Sequence, residues 1–216
     1  MREVYIIGSG GFAAELTGYI QDNNKIKNQL RIKGYFDVNT ERYSQYNFPA
    51  PFLGSENNFN FHEGDLVIIA IGDLKIRSRI IENLKNKKVT IDGFCHNSSI
   101  VSSSAVLGSG NIICPNVIIG PNTTLGDNNI LNYSSALPHD CTLGSENVFS
   151  PNVQITGYTT IGDKNFFGTS SCVLPNLSIG NCNKIQAGLV VSKNVENSRM
   201  VFKIEKTNDL PSYDFL

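Results

Sequence analysis

From Val101 onward the sequence carries a large apolar residue at every sixth position: Val101, Leu107, Ile113, Ile119, Leu125, Leu131, Leu137, Leu143, Phe149, Ile155, Ile161, Phe167, Val173, Ile179, Ile185 and Val191. In a chain that is 40% hydrophobic, such an unbroken run in one register arises by chance about once in a few million. A period of six matches neither the 3.6 of an α-helix nor the 2.0 of a flat strand. It matches a solenoid in which each hexapeptide makes one short strand and one corner, and three hexapeptides close a triangular coil. The apolar residue then fills the axis. Glycine often follows it (Gly108, Gly120, Gly126, Gly144, Gly162, Gly168, Gly180) and is expected to supply corner torsions that a Cβ resists. Four residues on, small side chains (Ala105, Thr123, Ser135, Thr159, Ser171) would let the backbone turn. A β-sandwich would need hairpins and looser spacing. Chirality rules favour right-handed parallel crossovers, so the period alone does not fix the hand.

The first 95 or so residues have a different rhythm. Val4–Ile7 reads as a strand, Gly8–Gly11 as a turn, Phe12–Asn23 as a helix, and Tyr35-Phe36-Asp37 as the end of a second strand. Leu66–Ile71 reads as a buried strand stopped by Gly72, and Lys75–Asn86 as a helix with Ile76, Ile80, Ile81 and Leu84 on one side. This alternation predicts a small parallel sheet. The expected organisation is a Rossmann-like α/β domain over 1–97, a hexapeptide-repeat parallel β-helix over 98–196 and a tail over 197–216.

The charges nearly cancel, 18 Lys+Arg against 19 Asp+Glu, which leaves no basic field for nucleic acid or an anionic membrane. Five cysteines form no C-x-x-C pair and no metal-ligand cluster with histidine, so no metal site is expected, and reduced thiols point to the cytoplasm. The apolar run at the start is too short for a signal segment, and no stretch reaches the roughly 20 apolar residues of a membrane span. Gly8-Ser9-Gly10-Gly11-Phe12-Ala13 satisfies G-x-G-x-x-A between strand and helix, which suits a diphosphate on backbone N–H groups. Too little chain precedes the solenoid for the two halves of an NAD site. Tight strand–helix packing is the competing account of these glycines.

The repeats, spelled Ile119-Gly120-Pro121-Asn122-Thr123 and Ile161-Gly162-Asp163-Lys164-Asn165, resemble those of the left-handed β-helix acyltransferases. With Ile7–Phe12, Ile69-Ala70-Ile71-Gly72-Asp73 and Arg77, His96-Asn97-Ser98, Leu131–Ser135, His139-Asp140-Cys141 and Val173–Gly180, the chain is similar to bacterial sugar O- and N-acetyltransferases. That family includes sialic acid O-acetyltransferases and N-acetyltransferases of nucleotide-linked 4-amino-4,6-dideoxy sugars. The resemblance implies a left-handed coil, a homotrimer, acetyl-CoA between two subunits, and a UDP-, dTDP- or GDP-sugar on the N-terminal domain. It implies that His139 and Asp140 are catalytic, that the Gly157 N–H serves the oxyanion, and that Gly168, Ala187 and Gly188 lie along acetyl-CoA. Gly8, Ser9, Gly10, Gly11, Asp37, Gly72, Asp73, Arg77 and Asn132 are implied on the substrate side, Asp37 near the base and Asp73 near the sugar. The sequence departs from the family where a second histidine gives way to Val148, and where Val201–Lys206 replaces a Gly-x-Pro-Ala-Lys segment.

Acetyl transfer to an amine needs a base for the amine proton, a role a neutral imidazole fills at cellular pH while a carboxylate steadies the imidazolium. His139 and Asp140 fall two and three residues after the axial Leu137, at an outward corner. Because they are sequence neighbours, the carboxylate must reach the ring through the corner geometry or serve another subunit. A solvated surface pair is the bland alternative. His96 is read as a domain-packing or substrate residue, His62 as exposed, and Cys141 and Cys172 as packing residues. A γ-type carbonic anhydrase would need three zinc-binding histidines, and the repeats hold only His139. An antifreeze-like scaffold would repeat threonine on one flat face, a pattern not found in this reading. The expected activity is N-acetylation of a nucleotide-linked 4-amino sugar. Sugar O-acetylation is the alternative, and a non-catalytic nucleotide-binding protein is the rival from another class.

Overall fold

A computed structural model describes residues 1–27 and 29–204. The chain opens with β1 (Arg2–Ile7), α1 (Gly11–Ile26), β2 (Leu30–Phe36), β3 (Leu66–Ile69), α2 (Leu74–Asn86) and β4 (Thr90–Ile91). The four strands form one parallel sheet in the order β2-β1-β3-β4. This is half of a doubly wound domain. Strand alternation sends Val4, Ile6 and Ile68 to α1, where Ala13, Leu16 and Ile20 meet them. It sends Tyr5, Ile7, Val67 and Ile69 to Ile80, Ile81 and Leu84 of α2. Ile76 is not part of that stripe: it is exposed, and Arg77 takes the inward position on its turn.

The rest is a triangular prism of six coils, a left-handed parallel β-helix. Its first strand is Phe94–Cys95 and its last among the described residues is Met200–Val201, so the prism extends on both sides of the 98–196 span read from the repeats. Three parallel sheets make the faces. The first carries Phe94, Ile112, Ile130, Val148, Phe166, Lys184 and Met200 outward, the second Ile100, Ile118, Ala136, Gln154, Cys172 and Val190, and the third Val106, Thr124, Thr142, Thr160 and Ser178. A short threonine column therefore exists on the third face, contrary to the sequence reading, which followed the axial position and not the residue before it. The hexad residues fill the axis. Only Val101 and Leu107, in the first coil, stay partly exposed.

The corners are built differently from the sequence expectation. From Leu107 to Ile185 the left-handed torsion falls three residues after each axial position, on Asn116, Asn122, Asn128, Ser134, Asp140, Glu146, Asn152, Tyr158, Lys164, Ser170, Asn176 and Cys182, with φ between 56° and 61°, and on Gly110 and Gly188, at 69° and 70°. The glycines that follow the axial residue serve close stacking instead. A Cβ on Gly144 would stand 2.8 Å from backbone of Gly162, and one on Gly120 would stand 2.6 Å from backbone of Pro138. Each coil turns so tightly onto the next at these points that a side chain has no room.

One corner carries a ladder of buried asparagines. Oδ1 of Asn111 accepts from the backbone N–H and Nδ2 of Asn129, at 2.8 and 3.0 Å. Asn129 receives Asn147, and Asn147 receives Asn165, in the same way. The amides thereby satisfy corner groups that water cannot reach. The spacing is 18 residues, one coil. It drops to 16 in the last coil, where Asn197 accepts from Asn181, and the apolar register slips with it.

The N-terminal domain lies on the first face: Val4, Leu16 and Ile20 share one apolar cluster with Ile112, Cys114, Ile130 and Val148. Arg77, 1% exposed, ties the two together. Its guanidinium donates to the carbonyl of Ile69, at the end of β3, at 2.5 Å and to that of Asn128, on a prism corner, at 3.2 Å. Burial pulls its pKa down to about 10 against the opposing pull of Glu146. Ser78 adds a hydrogen bond to Glu146 at 2.5 Å.

Candidate functional site

His139 sits on the corner between the second and third faces. Asp140, the next residue, has φ +57°, which turns its carboxylate back along the chain. Oδ2 lies 2.9 Å from His139 Nδ1, so the pair closes within one chain and needs no second subunit. Nδ2 of Asn122, one coil earlier, donates to Oδ1 at 3.1 Å. The hydrogen bond with His139 first, and that from Asn122 second, hold the Asp140 carboxyl below the usual carboxylate range. An ionised carboxylate only accepts, so Nδ1 carries a proton, and in the neutral ring that leaves the lone pair on Nε2. The ring is about half exposed.

One coil later Gly157 lies against the flat of that ring. A Cβ there would stand 2.6 Å from Cε1 and 2.9 Å from Nε2, so only glycine leaves the imidazole its place. Among the described residues the Gly157 N–H meets no acceptor, whereas its carbonyl accepts from Asn176. Tyr158 stands edge-on to the imidazole, with ring centroids 5.2 Å apart. Cys141 is buried beneath this corner, and burial raises its thiol pKa.

The remaining candidate residues lie elsewhere. Gly168, Ala187 and Gly188 occupy the corner between the first and second faces. Gly168 has no room for a Cβ, which would meet the Ala187 nitrogen at 2.5 Å. Gly168, Ala187, Ser150, Phe166, Lys184 and Phe202 line an open cavity of about 540 Å³. A second cavity, of about 340 Å³, runs between the glycine loop and the first face and brings together Gly11, Gly72 and Asn132 with Phe12, Glu15 and Val148. The two share Ser150 and Phe166, so a trough leads from the loop along the prism.

Within the loop Gly8, at φ +107°, passes so close to the end of β3 that a Cβ would meet the Ala70 carbonyl at 2.7 Å. Ser9 is buried and donates from both its backbone N–H and its hydroxyl to Asp37 Oδ2, at 3.0 and 2.8 Å. Asp37 thus pins the loop to the end of β2. Gly10 precedes α1 with no side-chain cap, leaving first-turn N–H groups available to an anion. Asp73 caps α2 by accepting from the Ile76 N–H at 2.9 Å. Asn132 accepts from the Tyr133 N–H. Arg77 is buried as the domain strut and presents nothing to the trough. His96 packs at the domain junction, edge-on to Tyr19, and His62 is exposed. No group of three or more metal-ligating side chains occurs among the described residues.

In one chain the His139 corner and the trough are therefore apart, with the second face between them. Three residues beside these elements escaped the sequence reading. Asn122 and Tyr158 stand one coil before and one coil after Asp140, and the coil period carried that signal. Glu15 reaches the cavity from α1, and nothing in the sequence marked it.

The structure thus combines a Rossmann-like half-domain with a left-handed hexapeptide prism that carries the His139–Asp140 pair on one corner. Residues 3–84 match the family model of the PglD N-terminal domain. No curated protein sequence matches the chain. Among solved structures it is similar to PerB from Caulobacter crescentus in complex with CoA and GDP-perosamine, at 23% identity and TM-score 0.78, covering 91% of this chain and 92% of that one. The acetyltransferase domain of PglB from Neisseria gonorrhoeae, in complex with acetyl coenzyme A, is similar at 23% identity and TM-score 0.78, with 91% and 94% covered. WeeI from Acinetobacter baumannii is similar at 20% identity, TM-score 0.78, with 91% and 94% covered. At such identities the likeness is one of fold.

Proposed function

We propose that the chain is an acetyl-CoA-dependent N-acetyltransferase acting on the 4-amino group of a nucleotide-linked amino-deoxy sugar, and that it works as a homotrimer. The observation that carries this reading is the corner itself: His139 Nε2 free, Nδ1 held by Asp140, and an unaccepted N–H at Gly157 beside the ring. In acetyl transfer the amine attacks the thioester carbonyl and Nε2 takes the amine proton. Asp140 steadies the imidazolium. The Gly157 N–H is placed to meet the charge that develops on the carbonyl oxygen. The carbon–sulfur bond then breaks, the sulfur leaves with its electron pair, and the proton taken up by Nε2 passes to it to give the thiol.

The trough supplies what the acceptor and donor need. First-turn N–H groups at Gly10 and Gly11 suit a diphosphate, and Gly72 and Asn132 border the space beyond it. Gly168, Ala187 and Gly188 leave a small-residue lane for the donor. The two half-sites meet only if another copy brings its trough to this His139. The second face supports that arrangement, because Ile100, Ile118 and Val190 stand exposed on it, and an uncovered apolar strip of this kind fits a self-association surface.

The test is thiol release from acetyl-CoA with UDP-, dTDP- and GDP-linked 4-amino sugars. Turnover is expected on one of them, with a fall of about 10²-fold or more in His139→Ala. Turnover unchanged by the substitution would remove the imidazole from the reaction.

A further inference from the structure

We infer that Asn122 is a positioning residue for acetyl transfer, acting through Asp140 on the tautomer and aim of His139; the inference rests on the general-base reading above. Three side chains form a line across one corner. Asn122 Nδ2 donates to Asp140 Oδ1 at 3.1 Å, and Asp140 Oδ2 accepts from His139 Nδ1 at 2.9 Å. Asn122 and Asp140 hold the same left-handed torsion, at φ +56° and +57°, and stack one coil apart. The backbone N–H of Asn122 is itself fixed by Ser104 Oγ at 3.1 Å, so the amide projects from a pinned corner.

The carboxylate needs this second tether. Asp140 is on the surface, and its short side chain has rotamers that swing away from the ring toward water. Binding the oxygen that the ring does not use confines the carboxylate to the one rotamer that meets Nδ1, and the proton on Nδ1 is what leaves Nε2 able to accept. Outer partners that orient a histidine act on chemistry in this way without touching substrate.

Asn122→Gly removes the amide and keeps a residue at ease at positive φ. Asn122→Asp keeps the shape and sets a second carboxylate against Asp140. With Asn122→Gly, kcat is expected to fall about tenfold while the KM for acetyl-CoA stays within about a factor of two. In the His139→Ala background the same change is expected to cost nothing further, because both act through one group. With Asn122→Asp the acid limb of kcat/KM is expected to move to higher pH, since added negative charge favours the imidazolium.

A readout independent of turnover is the ¹⁵N spectrum of the His139 ring, identified by its absence from His139→Ala. The wild type is expected to show mainly the Nδ1–H tautomer, and Asn122→Gly a shift toward Nε2–H. Unchanged tautomer and unchanged kcat in Asn122→Gly overturn the inference. Full turnover in His139→Ala overturns instead the general-base reading on which it stands.

Discussion

At the scale of the residue, the His139 corner is defined by what is missing from Gly157 as much as by what His139 carries. A methyl group there would stand within 3 Å of the imidazole, so Gly157→Ala is expected to push the ring off its line and disturb the proposed oxyanion donor together. A loss of about 10²-fold in kcat, at unchanged melting temperature, is the expected result in steady-state kinetics. The pH dependence follows from Asp140. Its folded-state pKa is lowered by His139 and then by Asn122, so its charge is in place above the ordinary carboxylate value of about 4 and is lost only as pH falls through the lowered one. Any acid limb of kcat/KM above about pH 5 therefore belongs to a base other than Asp140, and it is expected to persist, at reduced rate, in Asp140→Asn.

At the scale of the element, the prism is specified by two periods. The six-residue apolar period was plain in the sequence because burying an axis demands a large apolar group at every strand. The 18-residue period was harder to see, since it decides which amide stacks on which. Asn111, Asn129, Asn147, Asn165 and Asn183 repeat once per coil, and only the coordinates show that their side chains bond along the axis. The corner torsions were misassigned for the same reason: glycine is the usual carrier of positive φ, yet here asparagine, aspartate and serine carry most of it, and glycine marks close stacking. Asn147→Ala breaks the ladder at its middle and leaves the buried Asn165 donors without their acceptor. A loss of about 2–3 kcal/mol is expected, read as a lower melting temperature or denaturant midpoint; a drop no larger than that of an exposed-site alanine would show the ladder to be incidental.

At the scale of the molecule, sequence resemblance named candidate residues for a site but not their distribution. Gly11, Gly72 and Asn132 come together beneath the N-terminal domain, and His139, Asp140 and Gly157 come together on a corner beyond the second face. The resemblance set Arg77 among the substrate residues. In the structure its burial between the domains gives it a different task. Under the proposed function the separation of the half-sites makes assembly part of the chemistry, and one measurement addresses that directly. Gly72 faces open space in the trough, so Gly72→Phe fills the acceptor cavity without disturbing the fold, while His139→Ala removes the base. Each variant alone is expected to be inactive. Co-expressed with different tags and purified as the mixed trimers of the proposed assembly, they are expected to recover roughly a third of wild-type thiol release, since one site in three then joins an intact trough to an intact histidine. Mixed trimers with no more activity than their parents would contradict a site shared between two copies.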